Sequence, residues 1–247
     1  MTLKEKLNHN FVLQKDDLKG KLLSRSLLWM GLGLAVIVLI AFLSFRIESV
    51  NNLLLQIADN TGFFTSMIIN FGVVIGIFFA IRNPNTHIIV PVILYIVFAA
   101  YQGLFINIAL NFQNIRNFAD LLLIMLIPAG IFFIMGVISF FNLFDFTKLM
   151  PLATIGMFAI LIMSIVLGFV QSGSNDKWFL ILAAAIFIIW IGIDIQMIKN
   201  AQDNIEAFGM AQNSKELNRI AFIFGFRLFI DFINLLFLLL RLMGNNR

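Results

Sequence analysis

The chain has 247 residues, of which 61% are hydrophobic and 12% are charged. Soluble domains have about 25% charged residues, so the composition excludes an ordinary soluble domain and indicates a membrane protein with several spans. The formal net charge of +4 comes from basic residues in the N-terminal tail and at the ends of apolar runs, where they act as topology signals, so no nucleic-acid partner is expected. The absence of cysteine excludes disulfides, thiolate metal sites and thiol nucleophiles.

Apolar runs of bilayer length predict seven transmembrane helices, because a helix needs about 20 apolar residues to cross a bilayer. The predicted spans are residues 27–45, 63–81, 88–110, 121–141, 149–170, 178–198 and 220–243. We therefore predict an all-α membrane protein with one membrane domain, residues 27–247, and an N-terminal tail, residues 1–26.

Several spans contain helix-modifying residues. Gly72 and Gly76 form a G-x-x-x-G spacing in the second span, which permits close helix packing. Pro128 lies near the middle of the fourth span, and Pro151 lies in the first turn of the fifth, where proline is tolerated. The polar loop at residues 199–219 is predicted to form a short surface helix.

The distribution of basic residues predicts the orientation. With the tail inside, eleven of the 17 Lys and Arg residues lie on the inner side, five lie on the outer side, and Arg227 lies in the membrane. The N-terminus is therefore predicted to be cytoplasmic, and an odd number of spans places the C-terminus outside. The abundance of Ile, Phe, Asn and Lys is typical of an AT-rich bacterial genome, so we expect the plasma membrane.

Polar and charged residues interrupt the last two spans. Asp194 lies in the sixth, and Arg227, Asp231 and Asn234 lie in the seventh. A charge at the centre of a membrane helix costs about 2.5–3.5 kcal/mol on insertion scales, so these side chains should face protein or water. They are the main functional candidates.

Spacing suggests how these groups pair. Arg227 and Asp231 are four residues apart and can form an ion pair on one helix face, with Asn234 beside Asp231. Arg82, at the cytoplasmic end of the second span, could reach Asp194. The alternatives are that Asp231 merely neutralises Arg227, that Asp194 is interfacial, and that Arg82 is an ordinary topology signal.

The depths of the two acids are hard to reconcile from sequence. Asp194 precedes Lys199 by about 7–8 Å along its helix, whereas Asp231 follows Arg219 by about 18 Å. The depths agree only if the last helix begins above the membrane surface, or if a cytoplasmic cavity reaches Asp231. If the acids meet, they cannot both ionise at low cost, and a shared proton would make a pH-dependent latch between the helices.

No metal cofactor is expected. His9, in the tail, and His87, at a span end, are the two histidines, and they cannot form a zinc or di-metal cluster with each other. Calcium needs several hard oxygen ligands, so Asp194 and Asp231 would provide at most a weak, hydrated calcium contact.

The C-terminal helix resembles the last helix of the Bax inhibitor-1 family, whose pattern is roughly S-L-Y-L-D-[FI]-I-N-L-F-x-x-L-L-R-x-x-G. The matching residues are Leu228, Asp231, Phe232, Ile233, Asn234, Leu235, Leu239, Leu240, Arg241 and Gly244. IGIDIQMIKN resembles the family's Y-D-x-x-x-I-K, FDFTKLMPL resembles its D-L-S-x-L junction, and Tyr95, Phe98 and Gly103 resemble its third-helix pattern. Arg227 and Ile193 depart from the family pattern, which has a small or polar residue and a tyrosine there.

The resemblance implies a fold and a function. It implies seven helices, with the C-terminal helix central and two groups of three wrapped around it. It also implies a pH-sensitive calcium leak channel, whose sensor pair would be Asp194 and Asp231 and whose basic residue after the second helix would be Arg82. The partners would be the lipid bilayer, calcium ions and protons, and no protein partner is identified.

Other functions remain open at this point. A proton-coupled transporter and a non-transporting regulator that binds partner proteins are both compatible with the sequence. An intramembrane aspartyl protease also places one aspartate on each of two helices, but the G-x-G-D and P-A-L motifs of that class are missing. We therefore expect that the protein is not an enzyme.

Overall fold

Helices make up the regular structure of the chain. The computed structural model describes residues 21–50, 52, 56, 63–83, 86–112, 118–169, 176–207 and 214–244. Across these residues it contains α1 (Lys21–Arg46), α2 (Phe63–Arg82), α3 (Ile89–Phe112), α4 (Phe118–Phe140), α5 (Met150–Phe169), α6 (Asp176–Ala207) and α7 (Ser214–Gly244). A short 3-10 helix, Phe146–Leu149, precedes α5. The all-α prediction is confirmed for this part of the chain, and residues 1–20 of the predicted tail, with His9, lie outside it.

Six of these helical segments are long and apolar enough to cross a bilayer. They are Lys21–Ser44, Ile89–Ile108, Leu121–Phe140, Phe146–Met163, Lys177–Ile205 and Glu216–Leu242. Helix α2 has 20 residues, and the part of it whose side chains the structure describes is the apolar segment Ile68–Arg82. The prediction of a polytopic helical membrane protein is therefore confirmed, with six candidate spans where seven were expected.

Large apolar side chains cover the outside of the helices. Phe133 on α4 is 73% exposed and Ile155 on α5 is 68% exposed. Contiguous apolar surface of this kind is unfavourable in water and suits lipid contact. Backbone polar groups within an α-helix are satisfied internally, which is what the hydrocarbon layer requires.

Helix α7 packs against α1, α3, α4 and α6. Tyr95 on α3 lies at the centre of this packing. Its ring meets the rings of Phe222, Phe226 and Phe229 edge-on, with centroids 5.6, 5.6 and 5.2 Å away. Its hydroxyl donates to the carbonyl of Trp29 on α1 over 2.8 Å. Edge-to-face pairs contribute about 0.5–1.5 kcal/mol beyond their buried area, so this tyrosine joins α1, α3 and α7.

Two glycines allow α1 to approach its neighbours closely. A Cβ at Gly33 would lie 2.0 Å from the Tyr95 hydroxyl and 2.7 Å from the Phe229 ring. A Cβ at Gly225 would lie 2.5 Å from the Ser26 carbonyl oxygen. Gly72 and Gly76, by contrast, have nothing within 4 Å of a built Cβ. The expected close packing at the G-x-x-x-G spacing is therefore not observed there, because that face of α2 meets no other helix of the described chain.

The last two helices extend beyond their apolar parts. α6 continues to Ala207 and α7 begins at Ser214, so the expected surface helix in the sixth loop is instead an extension of both spans, with residues 208–213 outside the described chain. Ala, Gln, Glu, Lys and Leu in these extensions are good helix formers. A change from apolar to polar residues therefore does not mark the end of α6 or the start of α7.

Candidate functional site

The two acids of the last helices lie side by side in the interior. Asp194 is 2% exposed and Asp231 is 8% exposed. Asp194 precedes the end of α6 by about 20 Å and Asp231 follows the start of α7 by about 26 Å, at 1.5 Å per residue. Since α7 begins at Ser214, well before its apolar part, both acids lie well inside their helices, and the structure brings them together.

The carboxyl groups of Asp194 and Asp231, hereafter the acid pair, are close enough to interact electrostatically and to share a proton in a hydrogen bond. Such a bond between two carboxyl groups requires a proton on one of them. Among the described residues, no N–H or O–H group donates to Oδ2 of Asp231, although this atom is buried. A proton held by the acid pair is the chemistry that satisfies this arrangement.

Arg227 pairs with Asp194 across the α6–α7 interface. Its Nε donates to Asp194 Oδ2 over 3.0 Å, and its Nη2 donates to Oδ1. Nη2 also lies 4.0 Å from the Met197 sulfur. This two-point contact is the strong form of an Arg–carboxylate interaction.

The expected ion pair between Arg227 and Asp231 is not the one formed. In a helix, side chains lean toward the N-terminus, and a cation four residues before an acid is the less favourable order. Arg227 therefore leans away from Asp231 and toward Asp194 on the neighbouring helix. The acid pair thus has one charge-neutralised member and one member without its own cation.

Arg82 does not reach Asp194. It is exposed at the C-terminal end of α2 and makes no contact with Asp194 in the described chain. The contact to that end of α2 comes from Arg219 of α7, which donates to the carbonyls of Ala80, over 3.4 Å, and Asn83. Cations near helix C-termini are stabilised by the exposed carbonyls, and sequence reading assigned Arg219 only to topology.

Asn234 lines a separate cavity of about 500 Å³ between α2, α3 and α7. Asn70 and Gln102 line the same cavity, and Gln102 Nε2 donates to Asn70 Oδ1 over 3.0 Å. Asn234 was expected beside Asp231 on one helix face, but Asp231 does not line this cavity. Sequence reading missed Gln102, although a lone glutamine inside an apolar span is itself a signal of a polar contact.

The junction between α4 and α5 is fixed to α6 near Asp194. Gln196 Oε1 accepts from the Phe146 backbone N–H over 2.7 Å, and the Ser139 hydroxyl donates to the Gly192 carbonyl over 3.2 Å. A Cβ at Gly192 would lie 2.7 Å from the Met135 side chain, so glycine is needed at this contact. These contacts hold the helix turn that carries Asp194.

Asp145 caps the 3-10 helix of this junction. Its carboxylate accepts from the Thr147 hydroxyl over 2.5 Å and from the Thr147 backbone N–H over 3.2 Å. The Thr147 hydrogen bonds and the ammonium of Lys148, 3.6 Å away, lower the pKa of Asp145 below its ordinary value. The residues of the D-L-S-x-L resemblance therefore form a capped turn.

Possible metal ligands are sparse. The residues that the structure describes contain no group of three or more His, Cys, Asp or Glu side chains that could hold a metal ion. His87 is exposed, and its Nδ1 accepts from the Ile89 N–H over 3.4 Å. Since Arg227 occupies both oxygens of Asp194, the acid pair offers a cation mainly Asp231, and the calcium contact stays a prediction.

These features define a polytopic helical membrane protein with buried acids on its last two helices. The chain belongs to the Bax inhibitor-1 family, since the family model described as inhibitor of apoptosis-promoting Bax1 matches residues 20–247. It is also 25% identical over 235 residues to an uncharacterised protein of Borreliella burgdorferi (strain ATCC 35210 / DSM 4680 / CIP 102532 / B31), covering 95% of this chain and 96% of that protein. The family assignment made from the sequence is confirmed.

Proposed function

We propose that this protein is a pH-sensitive cation leak channel, calcium included, gated by the acid pair. The observation that carries the proposal is that Asp194 and Asp231 meet in the interior with one cation, Arg227, between two acids. We also propose that seven helices cross the membrane, with α7 central and two groups of three around it. The contacts of α7 with α1, α3, α4 and α6 support this arrangement.

The gate works through the charge of three groups. With one proton on the acid pair, Arg227 and Asp194 cancel and the carboxyl groups share a hydrogen bond. Without that proton, the cluster carries a net negative charge and the two carboxylates repel each other. Two unit charges 4 Å apart repel by about 4 kcal/mol at an effective dielectric constant of 20. Because about 1.4 kcal/mol corresponds to a factor of ten, this repulsion is enough to change the population of a closed state substantially.

The direction of gating follows from this balance. At low pH the proton holds α6 to α7, and the path along them is closed. As the pH rises, the proton leaves, α6 and α7 separate, and cations follow the exposed acids. Arg227 keeps the net charge of the cluster low, so the calcium flux is expected to be slow. The acids act without covalent chemistry, and no enzymatic activity is proposed.

The proposed location is the plasma membrane of a bacterial cell, with the N-terminus cytoplasmic and the C-terminus outside. Basic residues such as Arg25 and Lys199, at the ends of α1 and α6 on one side, support this orientation. The partners are lipid, protons and the permeating cation.

Proton-coupled transport is the second candidate, because a buried carboxyl oxygen without a donor, Oδ2 of Asp231, is also what a proton carrier needs. A carrier would move its substrate uphill when a proton gradient is applied to sealed liposomes. A leak dissipates gradients only. Uphill movement would therefore replace the channel proposal with the transporter.

The direct test is cation flux in proteoliposomes from about pH 5 to about pH 8. Calcium entry should rise with pH in the wild-type protein, and this dependence should disappear in D231N, whose amide cannot release the proton. D203N is the matched control, because Asp203 is an exposed acid on the polar end of α6. An unchanged pH dependence in D231N would reject the acid pair as the gate.

A further inference from the structure

The cavity between α2, α3 and α7 is lined in part by polar side chains, which contact with lipid does not account for. Three carboxamides, Asn70, Gln102 and Asn234, converge on it from three different helices. The other side chains that line it are apolar, and four of them are phenylalanines. We refer to it as the carboxamide cavity. Its volume of about 500 Å³ is in the range of sites that hold small molecules or several waters.

Two of these carboxamides, Gln102 and Asn234, have hydrogen-bonding groups that the described part of the chain does not use. Each carboxamide has two N–H donors and one oxygen with two lone pairs. Gln102 donates to Asn70, which fixes the Gln102 side chain and leaves its oxygen as the acceptor that remains. Among the hydrogen bonds of the described residues, none uses Gln102 Oε1 or the Asn234 carboxamide. Polar groups inside a membrane cost several kcal/mol each when unsatisfied, so we expect water or an ion to occupy the cavity.

The chemistry of the wall selects the charge of that occupant. No ionisable side chain lines the cavity, so an anion there would have no cationic side chain as a partner and only carboxamide N–H donors. Carboxamide oxygens and the faces of aromatic rings both attract cations, and a cation over a ring gains about 2 kcal/mol when desolvated. Calcium takes six to eight oxygen ligands with carboxylates among them, and the wall supplies none. A monovalent cation loses less hydration free energy than calcium when neutral oxygens replace part of its water shell.

We propose that the carboxamide cavity is a hydrated binding site for monovalent cations, with Gln102 and Asn234 as the oxygen ligands and Asn70 as the residue that positions Gln102. This inference rests on the proposed cation leak and names the ion class that the leak favours. Asn234 lies about 4.5 Å along α7 from Asp231, so a cation in the cavity sits within one helical turn of the acid pair. The leak should therefore pass potassium or sodium faster than calcium.

The absence of cysteine makes the site directly testable, because single-cysteine variants need no background changes. N234C should react with a cationic, membrane-impermeant methanethiosulfonate at least about tenfold faster than with an anionic one, because the site concentrates cations. L126C is the matched control, since Leu126 lies at a similar depth on α4 and is 63% exposed on the lipid-facing side. It should react with neither reagent. Q102C provides a second reporter if N234C does not fold.

Potassium should slow the labelling of V74C, at a lining position that is not a proposed ligand, severalfold, whereas the same concentration of N-methylglucamine should not. Labelling of N234C no faster than that of L126C would overturn the hydrated cavity. Equal rates with the cationic and anionic reagents, or no protection by potassium, would overturn the cation site. These measurements do not depend on transport, so they separate this inference from the proposed function.

Flux measurements provide a second test of the cation site. N234D adds a carboxylate to the wall and should raise the ratio of calcium to potassium flux about tenfold, whereas N234L should lower potassium flux. An unchanged ratio in N234D, with wild-type flux present, would overturn the cavity as part of the path. If the wild-type protein passed no ion at any pH, the proposed leak would fail while the labelling result still reported on the cavity.

Discussion

Arg227 donates two hydrogen bonds to Asp194 across the interface of α6 and α7, and Asp231, one turn further along α7, receives none from it. The arginine that departs from the family pattern therefore neutralises the acid of the other helix. This leaves Asp231 as the carboxyl group whose protonation decides the charge of the cluster. The two acids, although adjacent, should respond differently to mutation.

We expect D194N to be much more destabilising than D231N. D194N removes the partner of Arg227 inside the membrane domain, a loss that typically costs about 3–5 kcal/mol for a fully buried pair. The 27% exposure of the Arg227 side chain reduces this cost. D231N keeps the Arg227–Asp194 pair, and its amide can donate to Asp194. Thermal unfolding in detergent, with D203N as a control, should show a large loss in D194N alone. Equal losses in both variants would contradict the different roles.

Replacing Arg227 by serine should shift the gate to higher pH. R227S removes the cation beside the acid pair, so release of the proton would leave two carboxylates with no positive charge next to them, and the pair holds its proton more strongly. We expect the rise of cation flux with pH to move upward, so that flux near pH 7 falls about tenfold in proteoliposomes, which corresponds to about 1.4 kcal/mol. R241S, which removes an exposed arginine from the end of the same helix, should leave the flux near that of the wild type. A raised flux near pH 7 in R227S would show that Arg227 acts as an electrostatic block of the cation path.

Apolar patterns in the sequence predict where the helices lie along the chain. They do not predict which helices contact each other. The run at 88–110 predicts α3 almost to the residue, because hydrocarbon thickness sets the length of an apolar span. The ends of α6 and α7 were predicted too short, because helix-forming polar residues continue each helix outside the membrane.

The sequence predicts only part of the site, because it shows which residues are charged and does not show how the helices are arranged. Two buried acids are visible as charges in apolar runs, so Asp194 and Asp231 were identified. The partner of Arg227 depends on how α6 and α7 are rotated against each other, and the expected contact of Arg82 depends on where α2 ends in space. A spacing rule within one helix cannot supply either rotation or position, and it cannot bring Gln102 and Asn234 to one cavity.

The two glycines of α1 provide a matched test of its packing. G33A places a Cβ against the Tyr95 hydroxyl and the Phe229 ring, whereas Gly31 has nothing within 4 Å of a built Cβ. We expect G33A to lose about 1–3 kcal/mol through overpacking, and G31A to be neutral or slightly stabilising because alanine favours helix. Unfolding in detergent measures both. Similar stability of the two variants would contradict the close approach of α1 to Tyr95.

The cap at Asp145 should stabilise the junction above its own pKa. Because the Thr147 hydrogen bonds and Lys148 lower the pKa of Asp145 in the folded protein, the ionised carboxylate stabilises the folded state above the ordinary value of 3.8. This contribution is lost as the pH falls through the lowered pKa. The protection of the Thr147 amide, measured relative to its intrinsic exchange rate at each pH, should therefore fall at acidic pH in the wild-type protein. In D145A exchange should be fast throughout, and a D145A profile like that of the wild type would exclude the cap.

Whether α2 crosses the membrane decides whether the membrane domain has six or seven spans. The accessibility of two positions that flank this helix tests the crossing. Glu48 follows α1 and His87 follows α2, and both side chains are exposed. If α2 crosses, E48C should react with an impermeant thiol reagent from outside intact cells, and H87C should react after the membrane is permeabilised. The helix Phe63–Arg82 has 20 residues, which is long enough for this crossing. Labelling of both cysteines from the same side would place α2 on the membrane surface and reverse the predicted location of the C-terminus.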